Sequence, residues 1–183
     1  MKGLLFRCIM AFTLVLTTFS CSEEQDFNQF DDLSIIPTVA SSILLVESDE
    51  EFINTVSTFG AFYSQTFNFD PFNEQFVAER LLEGVIQYEI ENTTSKELNF
   101  SVEFLSEQGD ALAIDTFNIE PDPAPLVTLD VVYGPGGRNI DILRNTSALR
   151  VTAQNLGDDT STSTSPDPKV TLRSSGDFLF RLK

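Results

Sequence analysis

The sequence predicts a mainly β protein: an antiparallel β-sandwich of immunoglobulin-like type, with about eight strands and one or two short helices. Three observations predict it. From residue 84 onward apolar and polar residues alternate with a period of two, the pattern of strands with one face on a core and one in water. The alternating runs are broken at short intervals by clusters of Asn, Gly, Asp, Ser and Pro, the residues that make turns. The aromatic content is 17 Phe against three Tyr and no Trp, side chains that supply buried area without a polar group to satisfy. A small closed barrel is the alternative arrangement of the same strands.

Taken in order, Thr38–Glu47 and Phe62–Phe69 read as strands. Asn73–Leu82 reads as a short helix begun by Asp70-Pro71, with Phe72, Phe76 and Val77 on its inner face. The run Phe59, Phe62, Phe67, Phe69, Phe72, Phe76 is expected in the core or on its rim, with an exposed partner-binding patch as the alternative. Ile86, Tyr88 and Ile90 then share one face, and Phe100, Val102 and Phe104 another. Ala111, Ala113, Phe117 and Ile119 continue the alternation, interrupted by Asp115. Val127 to Tyr133, Leu149 to Ala153 and Phe178 to Leu182 complete it, and a helical turn is expected over Arg138–Arg144 after the break Gly134-Pro135-Gly136-Gly137. Asn92–Lys96 and Glu107–Asp110 are short enough for hairpins. The three prolines of Glu120–Pro125 cannot stay in a ladder, so that segment is expected to carry the chain to the other sheet. Gly157–Pro168 is a polar loop and the best candidate for local disorder.

The N-terminus has a different character. Lys2 and Arg7 precede an apolar stretch, Ile9 to Phe19, that is shorter than the about 20 residues a membrane-spanning helix needs. It has the form of the apolar region of a secretion signal. The following Thr18-Phe19-Ser20-Cys21 resembles a lipobox, although Thr18 stands where Leu is usual and Phe19 where a small residue is commoner. The resemblance implies cleavage before Cys21 and lipid attachment to it. Ser22-Glu23-Glu24-Gln25-Asp26 in turn resembles the acidic export signal that sends lipoproteins of the Bacteroidota to the outer face of the outer membrane. The whole pattern is similar to small surface-exposed lipoproteins of that group. It implies a signal peptide at 1–20, a lipidated acidic tether at 21–34 and a single sandwich domain at 35–183. Two acyl chains or more give stable attachment, each buried methylene contributing about 0.8 kcal/mol. Cys8 leaves with the signal, so the remaining chain has no disulfide and depends on its core.

Charge narrows the partners. Loss of Lys2 and Arg7 takes the formal charge from −17 to −19. Such a surface repels phosphate backbones, so nucleic acid is excluded as a partner. The basic residues gather late, seven of them after residue 133 against two between 22 and 133. C-terminal strands lying beside acidic ones account for this, and a face for a cationic partner or Ca²⁺ is the sharper alternative.

The catalytic inventory is short. The chain has no His, which removes Ser–His–Asp and Cys–His arrangements and imidazole metal sites. With Cys21 committed to lipid no thiolate remains, and zinc or iron sites lack their ordinary ligands. The Gly134–Arg138 run lacks the Gly-Lys-Ser/Thr ending of a phosphate loop and reads as a turn. No cofactor and no metal is assigned. Calcium is the least implausible ion, with Asp158-Asp159-Thr160 and Asn68, Asp70, Asn73, Glu74 as the places to look, although neither has EF-hand spacing.

These readings point to a non-catalytic, surface-anchored β-sandwich that binds an outer-membrane or surface protein or serves in an assembly. A surface glycan-binding role is the alternative, and a hydrolase working with carboxylates alone is less favoured. Cys21 is the one site residue the sequence names.

Overall fold

The computed structural model describes Gly3 and residues 34–56, 60–69, 71–72 and 74–182. Those from 34 onward belong to one compact unit, Ser34–Lys183. Its elements are β1 (Thr38–Asp49), α1 (Glu50–Val56), β2 (Ala61–Asn68), α2 (Gln75–Ala78), β3 (Leu81–Asn92), β4 (Leu98–Leu105), β5 (Ala111–Ile119), β6 (Val127–Tyr133), α3 (Asp141–Arg144), β7 (Ala148–Asn155) and β8 (Lys169–Phe180). Eight strands in two antiparallel four-stranded sheets make the expected sandwich, ordered β1-β8-β3-β6 in one sheet and β2-β7-β4-β5 in the other.

The connectivity sharpens that description. β4 pairs with β5, β3 with β6, β2 with β7 and β1 with β8, as in one long hairpin rolled up on itself. Contacts β3–β8 and β4–β7 then close the two sheets. This is the strand order of an eight-stranded jelly roll, in which sequence-adjacent strands mostly lie in opposite sheets. The immunoglobulin-like arrangement shares the two-layer sandwich and differs in this wiring.

The rolled hairpin explains which turn readings hold. Glu107–Asp110 is a true hairpin, closed by Ser106 N donating to Asp110 O at 2.8 Å and Gly109 N to Ser106 O at 2.9 Å. Glu120–Pro125 does carry the chain between sheets, from β5 to β6. Asn92–Lys96 is not a hairpin: it crosses from β3 to β4 in the other sheet. Nothing local distinguishes a five-residue hairpin loop from a five-residue crossing when both flanking strands are half-buried.

The alternating residues fill the space between the sheets. Ile86, Tyr88, Ile90, Phe100, Val102, Phe104, Phe117, Ile119, Val131, Tyr133, Leu149 and Val151 are all buried. Ile53 of α1 and Leu143 of α3 are fully buried and close gaps at the strand ends. Leu143 can seat there because Gly84 has no side chain: an added Cβ would lie 2.6 Å from Leu143 Cδ1. Among the six Phe of the early run, Phe62, Phe69 and Phe72 are buried and Phe67 is half-buried, while Phe59 lies outside the described residues.

The helix expected over Asn73–Leu82 shrinks to the single turn α2, because Leu81 already belongs to β3 and is fully buried there. Phe76 therefore does not reach the core. It is 61% exposed, with the Arg80 guanidinium 3.4 Å above its ring. Among the described residues no helix is long and apolar enough to cross a membrane.

Candidate functional site

The sandwich has two lateral sides, and an ion pair closes one of them. One is bounded by edge strands β5 and β6, the other by β1 and β2.

On the β5–β6 side, Asp115 occupies an inward position of β5 and is 3% exposed. The carboxylate is met by Arg138, delivered from the turn that follows β6. Gly134 has φ +110°, and a Cβ on Gly137 would come within 2.2 Å of Val132 O, so this doubling-back is built from glycine. Gly134 N donates to Arg138 O at 2.9 Å and Arg138 N to Val132 O at 2.9 Å, which fixes the turn against β6. Arg138 Nη1 then lies 2.6 Å from Asp115 Oδ1 and donates to Tyr133 Oη at 3.3 Å. Tyr88 Oη donates to Asp115 Oδ2 at 2.9 Å.

Burial, then the Asp115 charge, push the Tyr88 phenol far above its usual range. The same causes push Tyr133 up to about 12, with Arg138 opposing. Burial alone would lower the Arg138 guanidinium, but its hydrogen bond to Asp115 and that residue's charge raise it overall. Both phenols are thus held protonated and both carboxylate oxygens are engaged. The cluster ties the edge of one sheet to the edge of the other, and its geometry offers no nucleophile and no accessible base.

A second polar group anchors the β7–β8 connection. Lys96 is completely buried, and its Nζ donates to Asp158 Oδ1 at 2.9 Å and to Thr160 O. The hydrogen bond from Lys96, with those from Thr160, lowers the Asp158 carboxyl to about 2. Ser163 Oγ donates to Thr93 O at 2.7 Å, and Asn54 Nδ2 to Ser161 Oγ at 2.8 Å. The segment read as a candidate for disorder is therefore strapped down at several points. Glu50, 1% exposed, accepts from Ser95 N at 3.2 Å and from Ser95 Oγ through Oε1, while Oε2 has no hydrogen-bond partner.

Among the described residues no ion pair joins β1 to β2. Residues 34–46 and 60–69 contain no charged side chain at all, in a chain of net charge −17. A bulge between Ser42 and Leu44 resets the alternation of β1, so that Val39 and Ser41 face the same way as their partners Phe178 and Gly176. Between the sheets at this edge a cleft of about 400 Å³ opens, lined chiefly by Val39, Ile43, Phe69, Phe72, Phe178 and Phe180. Its aromatic wall is interlocked: Phe72 meets Phe178 edge-on at 5.1 Å between centroids and Phe69 at 6.1 Å. Val39, Ile35 and Ile36 are about half exposed there, and Leu45 on the outer face is 63% exposed. Among the described residues, large apolar side chains are also exposed on the β5–β6 side, at Ile114, Leu126, Leu129 and Val132, so this cleft is one of several apolar, solvent-open places on the fold.

Cys21, the predicted site, lies outside the described residues. Of the suggested calcium ligands, Asp158 is engaged by Lys96, Asp159 and Glu74 are exposed, Asn68 ends β2, and Asp70 and Asn73 lie outside the described residues. Among the described residues no group of three or more carboxylate, His or Cys side chains comes together. Asp115 was visible in the sequence only as an interruption of the alternation. Its odd-numbered position was the signal, because it placed a charge on the inward face. Lys96 and Glu50 carried no such mark.

No family model and no curated protein matches the chain. Several solved structures are similar to it in shape at low identity. The chain covers 82% of its own length on the infectious bursal disease virus VP2 subviral particle, with 7% identity and a TM-score of 0.37, and spans about a third (33%) of that protein. On the Desmodium yellow mottle tymovirus structure 83% of this chain matches 85% of that one, with 9% identity and a TM-score of 0.39. On the Bacillus endospore appendage pilus protein the shares are 88% and 97%, with 8% identity and a TM-score of 0.36. What those proteins assemble into is a property of theirs.

Proposed function

We propose that the chain is a non-catalytic lipoprotein, anchored at the outer membrane through Cys21 and facing the cell exterior, whose sandwich is a protein-interaction or assembly module. One observation supports the interaction reading: the open aromatic cleft at the β1–β2 edge, beside the stretches 38–46 and 61–69 that carry no charged residue. In so acidic a chain, most of the surface opposes contact with other acidic envelope proteins. The uncharged stretches 38–46 and 61–69 oppose it less, and the half-exposed apolar Val39 among them matches a partner presenting uncharged, apolar side chains. The lipobox-like Thr18–Cys21 and the acidic Ser22–Asp26 support the anchor and its orientation.

The test is pull-down of the full lipidated chain from detergent-solubilised outer membrane, beside variants Val39→Lys and Leu45→Glu. A partner recovered with the parent chain and lost with either charged variant is the expected outcome. Recovery that is indifferent to both charges, or no specific partner at all, counts against this reading. Intact mass of the mature N-terminus tests the anchor separately: an unmodified Cys21 thiol refutes it.

A further inference from the structure

The two ends of the sandwich differ in charge. The β1–β2, β3–β4, β5–β6 and β7–β8 connections lie at one end. The β2–β3, β4–β5 and β6–β7 connections lie at the other, together with the segments before β1 and after β8. In sequence the first group, 50–60, 93–97, 120–126 and 156–168, holds eight acidic residues and one basic. The second, 69–80, 106–110 and 134–147 with 34–37 and 181–183, holds six acidic and five basic. The formal charge is thus −7 at one end and −1 at the other.

The less acidic end is also where the chain passes back to 21–34. Leu182 N donates to Ile35 O at 2.9 Å and Arg181 N to Arg80 O at 2.9 Å, which sets the start of β1, the end of β8 and the residues after α2 side by side. Ile35, Ile36 and Leu182 are about half exposed there, and Phe76 is more so. The Arg80 guanidinium lies over the Phe76 ring, and its Nη1 donates to Phe76 O at 2.8 Å. Among the described residues neither Arg80 nor Arg181 is in an ion pair. A guanidinium stacked on a ring keeps its remaining in-plane N–H groups for an outside acceptor, and phosphate is the acceptor its fork matches.

Exposed apolar side chains beside unpaired arginines suit a bilayer interface, where the apolar groups enter the acyl boundary and the guanidinium groups meet phosphate. A flexible coil the length of 21–34 reaches about 20 Å, so an anchor at Cys21 keeps this end close to the membrane. We infer that this end, through Phe76, Leu182, Arg80 and Arg181, lies against the phospholipid surface of the membrane that carries the anchor, with the strongly acidic end turned away. The inference rests on the lipid-anchor reading of Cys21 and names the surface that the anchor brings into contact.

The chain has no Trp, so Phe76→Trp and, on α1 at the opposite end, Phe52→Trp each introduce a single indole at an exposed position. The full lipidated chain is floated on vesicles of phosphatidylcholine and phosphatidylglycerol, with and without bromine on the acyl chains, and emission is read from the floated fraction. The expected result is a blue shift and several-fold stronger bromine quenching for Phe76→Trp than for Phe52→Trp, lessened when Arg80→Glu and Arg181→Glu are added. Leu182→Trp gives a second reading of the same end that does not depend on how α2 accepts a larger ring. Equal quenching at the two ends, or quenching unchanged by both charge reversals, overturns the inference. A chain that does not float refutes the anchor and this inference with it, whereas one that floats without a difference between its ends overturns this inference alone.

Discussion

Replacing Arg138 with Met removes one partner of a buried ion pair and leaves the other in place. Asp115 is 3% exposed, so its charge would remain in the core with only the Tyr88 hydroxyl donating to it, at 2.9 Å. Removing one member of a buried pair costs about 3–5 kcal/mol. Arg138 is itself 39% exposed, which means part of the interaction is already screened by water and the lower end applies. About 3 kcal/mol is therefore expected, read as a shift in the urea midpoint at unchanged slope and as about a 10 °C fall in Tm for a domain of this size. The quadruple variant Tyr88→Phe, Asp115→Leu, Tyr133→Phe, Arg138→Met removes the charges together with both hydroxyls that would otherwise be orphaned. It is expected to recover most of the loss, because a well-packed apolar replacement of a buried pair is often neutral or better. If Arg138→Met lies within about 0.5 kcal/mol of the parent, the cluster is not what holds the β5–β6 side closed. If the quadruple variant is as unstable as the single one, the penalty does not come from a stranded charge.

Three further outcomes are expected. Tyr133 titrates at about 12 when folded against an ordinary 10.0, so the unfolded chain loses its phenolic proton first. That contribution is fully present below about pH 10 and is lost as pH rises towards 12, with Tyr88 acting in the same direction; in a Tyr63→Phe background, ultraviolet titration of the two remaining phenols should coincide with loss of far-UV dichroism rather than precede it. Lys96→Met removes the donor to Asp158 and Thr160 and should make the 157–168 strap the first site of limited proteolysis; the Asp158 carboxyl, about 2 in the parent, should return towards 3.8 by NMR, and an unchanged value would show that Lys96 is not its main cause. Gly137→Ala sets a methyl 2.2 Å from Val132 O and must displace the turn, so it should cost as much as Arg138→Met and add little to it in the double variant; full additivity would mean that the turn and the ion pair act independently.

The fold was legible wherever one face of a strand meets the core and the other meets water. Period two then follows from pleating, and Phe100-Val102-Phe104 or Leu149-Val151-Ala153 announce their strands without outside information. What alternation does not encode is which strand lies beside which. The pairing of β1 with β8 joins residues more than a hundred positions apart, and the Asn92–Lys96 segment looks the same whether it turns back or crosses over. Short helices were less legible for a related reason. Four residues of α2 make one turn, too few for a 3.6 period to separate inward Phe72 from outward Phe76.

The polar clusters were legible in proportion to how much they break a pattern. Asp115 breaks one, and a charge held in phase on an inward face must find a partner or lose its charge; that requirement could be read, though Arg138 as the partner could not. Lys96 and Glu50 sit in connections with no pattern to violate, so their burial became visible only once the strands were rolled together. The uncharged side is the converse case. Thr38–Val46 and Ala61–Phe69 are each unexceptional as strand sequences, and each lacks charge as any half-buried strand can. Only the jelly-roll wiring makes β1 and β2 the edges of the same side, where their two uncharged stretches come to flank one cleft. Edge strands are commonly protected by charge, proline or a bulge. Here β1 has the bulge at Ser42–Leu44 and no charge before Glu47, and β2 has no charge at all. Within β1 the bulge is therefore the one protective device before Glu47, whereas β5 and β6 are joined through the Asp115–Arg138 ion pair.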